Sequence, residues 1–111
     1  MTIILHRAGE PFVQPEPDPD QTPDAGFIYI LLSEHGYYKI GKTVNLTTRF
    51  TRLRKKYKFT FELVCAVHLP NMCWVTEQQL LYKYRAKRVK GMKDWFTLSQ
   101  EDIDYVKGLA S

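Results

Sequence analysis

Tyr29, the run Tyr38-Lys39-Ile40-Gly41-Lys42, Arg49 and Glu77 are the residues of this 111-residue chain whose types and spacing could carry chemistry. A phenol, several cations and one carboxylate brought together suit metal-assisted cleavage of a phosphodiester. A divalent cation and a guanidinium would stabilise charge growing on the phosphoryl oxygens while a base activates water. Glu77 is the most unusual acid, because it shares one helical face with Leu80, Leu81 and Tyr84 at i, i+3, i+4 and i+7. A carboxylate on an apolar stripe is costly unless it sits at a rim or meets a cation.

The elements that must position these residues can be read from pattern. Gly26 to Ser33 is rich in β-formers, and after Glu34-His35-Gly36 the run Tyr37 to Lys42 returns, which predicts a β-hairpin. Thr43-Val44-Asn45 offers capping side chains ahead of a helix whose Leu46, Phe50, Leu53 and Tyr57 fall at i, i+4, i+7 and i+11. Arg49, Arg52 and Lys56 form a cationic stripe beside that apolar one. Phe59 to Leu69 alternates like a third strand and is ended by Pro70. Asn71 is placed to cap a second helix from Cys73 to about Arg88, a stretch without Gly or Pro. Asp94 to Leu98 reads as a short closing strand, and Ser99 caps an acidic-first helix through about Leu109. Tyr37, Trp74, Trp95 and Phe96 are expected to pack. The fold class is α+β, with a small antiparallel sheet covered by helices.

The chain divides into two compositions. Residues 1–25 carry five acids against Arg7, and Pro11, Pro15, Pro17, Pro19 and Pro23 lie among them, which predicts a disordered or polyproline-like tail. The folded domain is expected over 26–111. From Lys39 to Lys93 there are 14 basic residues against Glu62 and Glu77 alone. So basic a segment repels itself unless a polyanion meets it, and nucleic acid is the partner it implies. Arg52, Arg54, Lys55, Lys56 and Lys58, with Lys83 and Lys87 further on, are expected to track phosphates without reading bases.

Other classes are excluded by what the sequence lacks. No apolar stretch approaches the ~20 residues that cross a bilayer, and Ile3-Ile4-Leu5 is interrupted too early for a signal-peptide core. The expected location is therefore the cytoplasm, or the nucleus in a eukaryote. Cys65 and Cys73 suggest neither a disulfide framework nor a zinc knuckle, and His6, His35 and His68 are scattered.

Gly26-Phe27-Ile28-Tyr29 and Tyr38-Lys39-Ile40-Gly41 resemble the two half-motifs that give the GIY-YIG nuclease superfamily its name. The second is in the YKIG form of its phage, viral and meiotic-type branch. The intervals are also similar to those of the nuclease domain of bacterial excision-repair proteins. Lys42 follows the second motif's glycine, Arg49 lies eight residues after it, and Glu77 opens the later helix. Lys83-Tyr84-Arg85-Ala86-Lys87 is close to the repair domain's Lys-Tyr-Arg-Pro-Lys, and Asp94-Trp95-Phe96 resembles the Glu-Trp-Phe closing strand of the viral-type branch.

The resemblance implies a three-stranded antiparallel sheet flanked by helices, with the active site on one sheet face. It also implies hydrolysis of DNA phosphodiesters with a single divalent cation. Glu77 would hold Mg²⁺ or Mn²⁺ at the scissile phosphate and favour departure of the 3′ oxygen. Tyr29 would orient or deprotonate the attacking water, with cations assisting a phenol whose reference pKa is near ~10. Arg49 would bind the phosphate through its planar fork, and Lys42 would add positive potential on the same side. Lys39 stands where the family has its second tyrosine, so it would support Tyr29 or contact phosphate. Tyr38, one position off, would point to the opposite face of the strand. No Asn follows the Glu77 helix at the family's position, where Arg88 and Val89 stand.

The expected activity is metal-dependent endonuclease or nickase action on DNA, with specificity supplied by the tail, a protein partner or dimerisation. The alternative is a non-catalytic nucleic-acid-binding module of the same fold. A protein-interaction module built on the Pro-rich tail is a third reading.

Overall fold

A computed structural model describes the backbone of residues 2–5 and residues 24–110. In chain order the elements are β1 (Thr2–Leu5), β2 (Gly26–Ser33), β3 (Tyr38–Thr43), α1 (Leu46–Lys56), β4 (Phe61–Leu69), α2 (Cys73–Lys83), β5 (Arg88–Val89), β6 (Met92–Phe96) and α3 (Gln100–Lys107). The α+β class is as read from the sequence. β2, β3 and β4 are the three strands expected. The sheet is nevertheless wider, with order β1-β4-β2-β3-β6-β5 and every pair antiparallel. Thr2–Leu5, which the sequence reading assigned to the tail, pairs along the outer edge of β4 from Thr2↔His68 to Leu5↔Cys65. The Pro-rich acidic stretch, expected to be disordered, lies outside the described residues.

Period-2 alternation along β2 splits its side chains between two cores. Phe27, Tyr29 and Leu31 pack with Leu46, Phe50 and Leu53 of α1 and with Trp95. Ile28 and Ile30 pack with Cys73, Leu80 and Tyr84 on the α2 side and with Ile103 and Val106 of α3. The sheet is thus sandwiched, with α1 on one face and α2 and α3 on the other. A bulge in the β2–β4 ladder between Ile30 and Leu31 shifts register, so that Cys65 and Val67 face α2 and α3 while Leu63 and Ala66 face α1.

The helix ends explain how these faces are fixed. Asn45 caps α1 by accepting from the Thr48 N–H at 3.0 Å. Asn71 does not cap α2. That role falls to Met72, in the left-handed region at φ 56° with no side-chain cap bond. Asp24 instead satisfies the free N–H groups, its carbonyl accepting from Cys73 at 3.1 Å and its carboxylate from Trp74 at 3.2 Å. α2 ends at Lys83, short of the expected Arg88, because the chain tightens into a 3₁₀ turn over Arg85–Lys87. A capping box between Ser99 and Asp102 opens α3, and Lys87 pairs with the Asp102 carboxylate to tie that turn to it. No helix among the described residues is long and apolar enough to cross a membrane.

Candidate active site

The site begins with a pair of residues that face each other across the β2–β3 hairpin. Tyr29 and Gly41 are cross-strand partners, and the Tyr29 ring fills the space that a side chain at position 41 would need. A Cβ built on Gly41 would collide with Tyr29 Cζ and Oη and lie 3.0 Å from Cε1. Phe50 of α1 closes the other side, edge-on at 5.7 Å between ring centroids. Tyr29 is fully buried, and its hydroxyl completes no well-aligned hydrogen bond among the described residues, although the Arg49 guanidinium lies close enough to act on it. Burial pushes its pKa up to about 12, outweighing the opposing effect of the Arg49 guanidinium, while Glu77 and Tyr57 add to the rise. The resting side chain is therefore a neutral phenol.

Lys39 joins Tyr29 on the α1 face, since it pairs with Leu31, one alternate position along β3 from Gly41. It is half-buried. Desolvation lowers its pKa, Asp94 opposes that, and Lys56, Glu77 and Arg49 also act on it. Asp94 is the centre of a small network. Its carboxylate accepts from Lys56 Nζ at 3.2 Å and from the Tyr57 hydroxyl at 3.0 Å. Burial pushes Asp94 up, but Lys39, Lys56 and the Tyr57 hydroxyl together overcome that and hold it below the usual carboxylate range.

Glu77 reaches this neighbourhood from the other side of the sheet. It is half-buried on α2, which packs on β3 and β2, and its charge is felt by Tyr29, Lys39 and Cys73. β6 pairs with β3 at Tyr38↔Phe96, close to the hairpin turn. Among the described residues, no strand is paired to the remaining β3 edge, and the charge of Glu77 spans both faces there. Tyr29, Lys39, Arg49 and Glu77 thus share one electrostatic environment.

Lys42 is not on the expected side. It pairs with Ile28, so alternation turns it to the α2 face with Tyr38 and Ile40. There it works against the rise of the Cys73 thiol, which burial pushes up to about 11. The cations expected to track phosphates lie on both sides of the sheet. Arg52, Arg54, Lys55 and Lys56 are exposed on α1, with Lys58 exposed just beyond it. Lys83 and Lys87 lie with α2 and α3 across the sheet, Lys83 over the Tyr105 ring at 4.4 Å and Lys87 paired with Asp102.

A family model described as the T5orf172 domain matches residues 26–110. The chain belongs to the T5orf172 domain family. This is a phage-associated domain of nuclease type. The matched T5orf172 region runs from the first residue of β2 past the end of α3, so it contains every residue of the candidate site. No curated protein and no solved structure matches the chain.

Within the T5orf172 domain, sequence reasoning missed Asp94 as a neighbour of Lys39 and Tyr57 as a partner of Asp94. Asp94 was seen only as part of a strand, and Tyr57 only as the end of an apolar stripe. The contact arises because the end of α1 meets β6, an event with no local signature. Trp74 was expected to pack and is instead exposed. No group of three or more His, Cys, Asp or Glu that could hold a metal occurs among the described residues. Among the described residues Glu77 is an acid near Tyr29 with no ion pair, its Oε1 accepting from Gln78 Nε2 at 3.1 Å. A single carboxylate fits a hard, largely hydrated cation when substrate phosphate completes the shell.

Proposed function

We propose that this T5orf172 domain hydrolyses phosphodiester bonds of DNA, as an endonuclease or nickase of the GIY-YIG type. The observation that carries the reading is the Tyr29 hydroxyl, packed across Gly41 within the fields of Arg49 and Glu77, with Lys39 on the same face of the sheet.

Arg49 binds the scissile phosphate and opposes the charge that grows on it in the transition state. The Tyr29 hydroxyl accepts a hydrogen bond from the attacking water and so orients it. With its pKa pushed up to about 12, Tyr29 does not ionise alone. The proton is passed on to Lys39, whose neutral amine is favoured by burial. Glu77 would hold Mg²⁺ or Mn²⁺ together with the phosphate, and the cation would supply Lewis-acid stabilisation of the departing 3′ oxygen. The exposed cations of α1 hold the DNA backbone.

Incubating supercoiled plasmid with the protein and Mg²⁺ or Mn²⁺ tests this reading. Nicked circles should accumulate with wild type and be lost with Tyr29→Phe and Arg49→Ala. The high pKa of Tyr29 favours a second reading, a nucleic-acid-binding module without turnover. Salt-dependent DNA binding with no metal-dependent nicking would establish that reading instead.

A further inference from the structure

The solvent face of α2 carries two large rings that the core does not use. Trp74, in the first turn, is 55% exposed, and Tyr82, two turns on, is 67% exposed. Their separation of eight residues places them roughly 12 Å apart along the helix at 1.5 Å per residue. The inner side of the same helix is occupied by Cys73, Leu80 and Tyr84, so these outer rings have no packing role. The backbone that carries Trp74 is anchored, and the Tyr82 ring is itself held in place. The Trp74 backbone N–H is bound by the Asp24 carboxylate at 3.2 Å. The Arg85 guanidinium lies 3.8 Å from the centroid of the Tyr82 ring, with Nη1 donating to the Tyr82 carbonyl at 2.7 Å.

The chemistry of this strip selects its occupant. Two exposed aromatic rings with Lys83 and Arg85 at one end of the strip suit a polyanion whose own flat groups are free to stack, because each stacked base contributes a sequence-tolerant contact and each cation neutralises backbone charge. Duplex DNA keeps its π-faces inside the base stack. Unpaired nucleotides present them. Glu77 follows Trp74 by three residues, one turn along, so a strand stacked on Trp74 runs past the acid.

We infer that Trp74 and the Arg85-capped Tyr82 form a stacking platform for unpaired nucleotides, which makes DNA with single-stranded nucleotides beside the scissile phosphate the substrate class of the Glu77 site. The substrate clause rests on the nuclease reading, whereas the platform itself does not.

The full chain, without divalent metal, is titrated into a dye-labelled oligothymidylate and a dye-labelled duplex of about 16 nucleotides and about 16 base pairs, the anisotropy of the label giving affinity for every variant, while unlabelled DNA is used to follow tryptophan emission of the wild type. Trp95 is only 1% exposed, so a ligand-dependent change reports Trp74. The oligothymidylate should quench the emission. Trp74→Ala and Tyr82→Ala should each weaken its binding ~10-fold while leaving duplex affinity within about twofold, and Trp74→Phe should restore most of the loss. Absence of quenching, unchanged oligothymidylate affinity in Trp74→Ala, or an equal loss for both DNAs would overturn the platform. Plasmid nicking alongside any of these results rejects the platform and leaves the nuclease reading standing. Selective quenching without nicking does the reverse.

Discussion

The ring of Tyr29 lies across its strand partner Gly41, in the volume a side chain there would occupy. The glycine of the second half-motif is therefore a steric requirement of the tyrosine in the first. Gly41→Ala should displace the Tyr29 ring against Phe50 and lower stability by about 1–3 kcal/mol, with nicking lost as well. Urea denaturation and the plasmid assay measure the two effects. An alanine variant of wild-type stability would contradict the packing described.

Removing the Tyr29 hydroxyl should separate stability from activity. Tyr29→Phe keeps the contacts with Phe50 and eliminates a buried hydroxyl that completes no well-aligned hydrogen bond, so it should stabilise the fold by about 1 kcal/mol while abolishing nicking. Thermal unfolding reads the first effect. A melting temperature below wild type would mean that the hydroxyl is hydrogen-bonded in the native state.

The pH dependence of nicking should follow Lys39. A base must be unprotonated, so the rate rises with pH through the pKa of the group that accepts the proton. Burial lowers Lys39, so the rise should level off below the ordinary lysine range of about 10.4. Asp94 raises the Lys39 pKa, and Asp94→Asn should move the rise to lower pH. Ionisation of Tyr29 alone would instead keep the rate climbing towards pH values near 12. Single-turnover rates across pH for wild type, Asp94→Asn and Lys39→Met distinguish the two.

Much of this site could be read from the letters because its spacing follows element periodicity. The hairpin of β2 and β3 follows from its turn, the placing of Tyr38 on the face opposite Lys39 from strand alternation, and the burial of Leu46, Phe50 and Leu53 from the helical repeat. The interval from the motif glycine points Lys42 to the Tyr29 side, but the same alternation turns it to the α2 face. The Asp94–Tyr57–Lys56 network and the exposure of Trp74 depend on which elements meet in three dimensions, and no local pattern encodes them. The strand at Thr2–Leu5 was hidden by the acidic, proline-rich residues that follow it, although Ile3 and Ile4 are good strand formers.

Both thiols should be inert in the folded protein. Cys65 and Cys73 are buried, and burial pushes each pKa up to about 11, so almost no thiolate is available near neutral pH. A maleimide added at pH 7.5 should label neither until denaturant is present. Rapid labelling of either native thiol would contradict the packing around it.

The central claim is that Tyr29, Lys39, Arg49 and Glu77 act together on one phosphate, and Glu77→Ala tests it most directly. Nicking of supercoiled plasmid by wild type and by this variant, across a Mg²⁺ titration and at matched DNA affinity, is the measurement. The account predicts metal-dependent nicking by wild type that falls at least ~100-fold in the variant, with DNA binding in the absence of metal retained. Equal nicking by the two proteins, or none by wild type at any Mg²⁺ concentration, would contradict it.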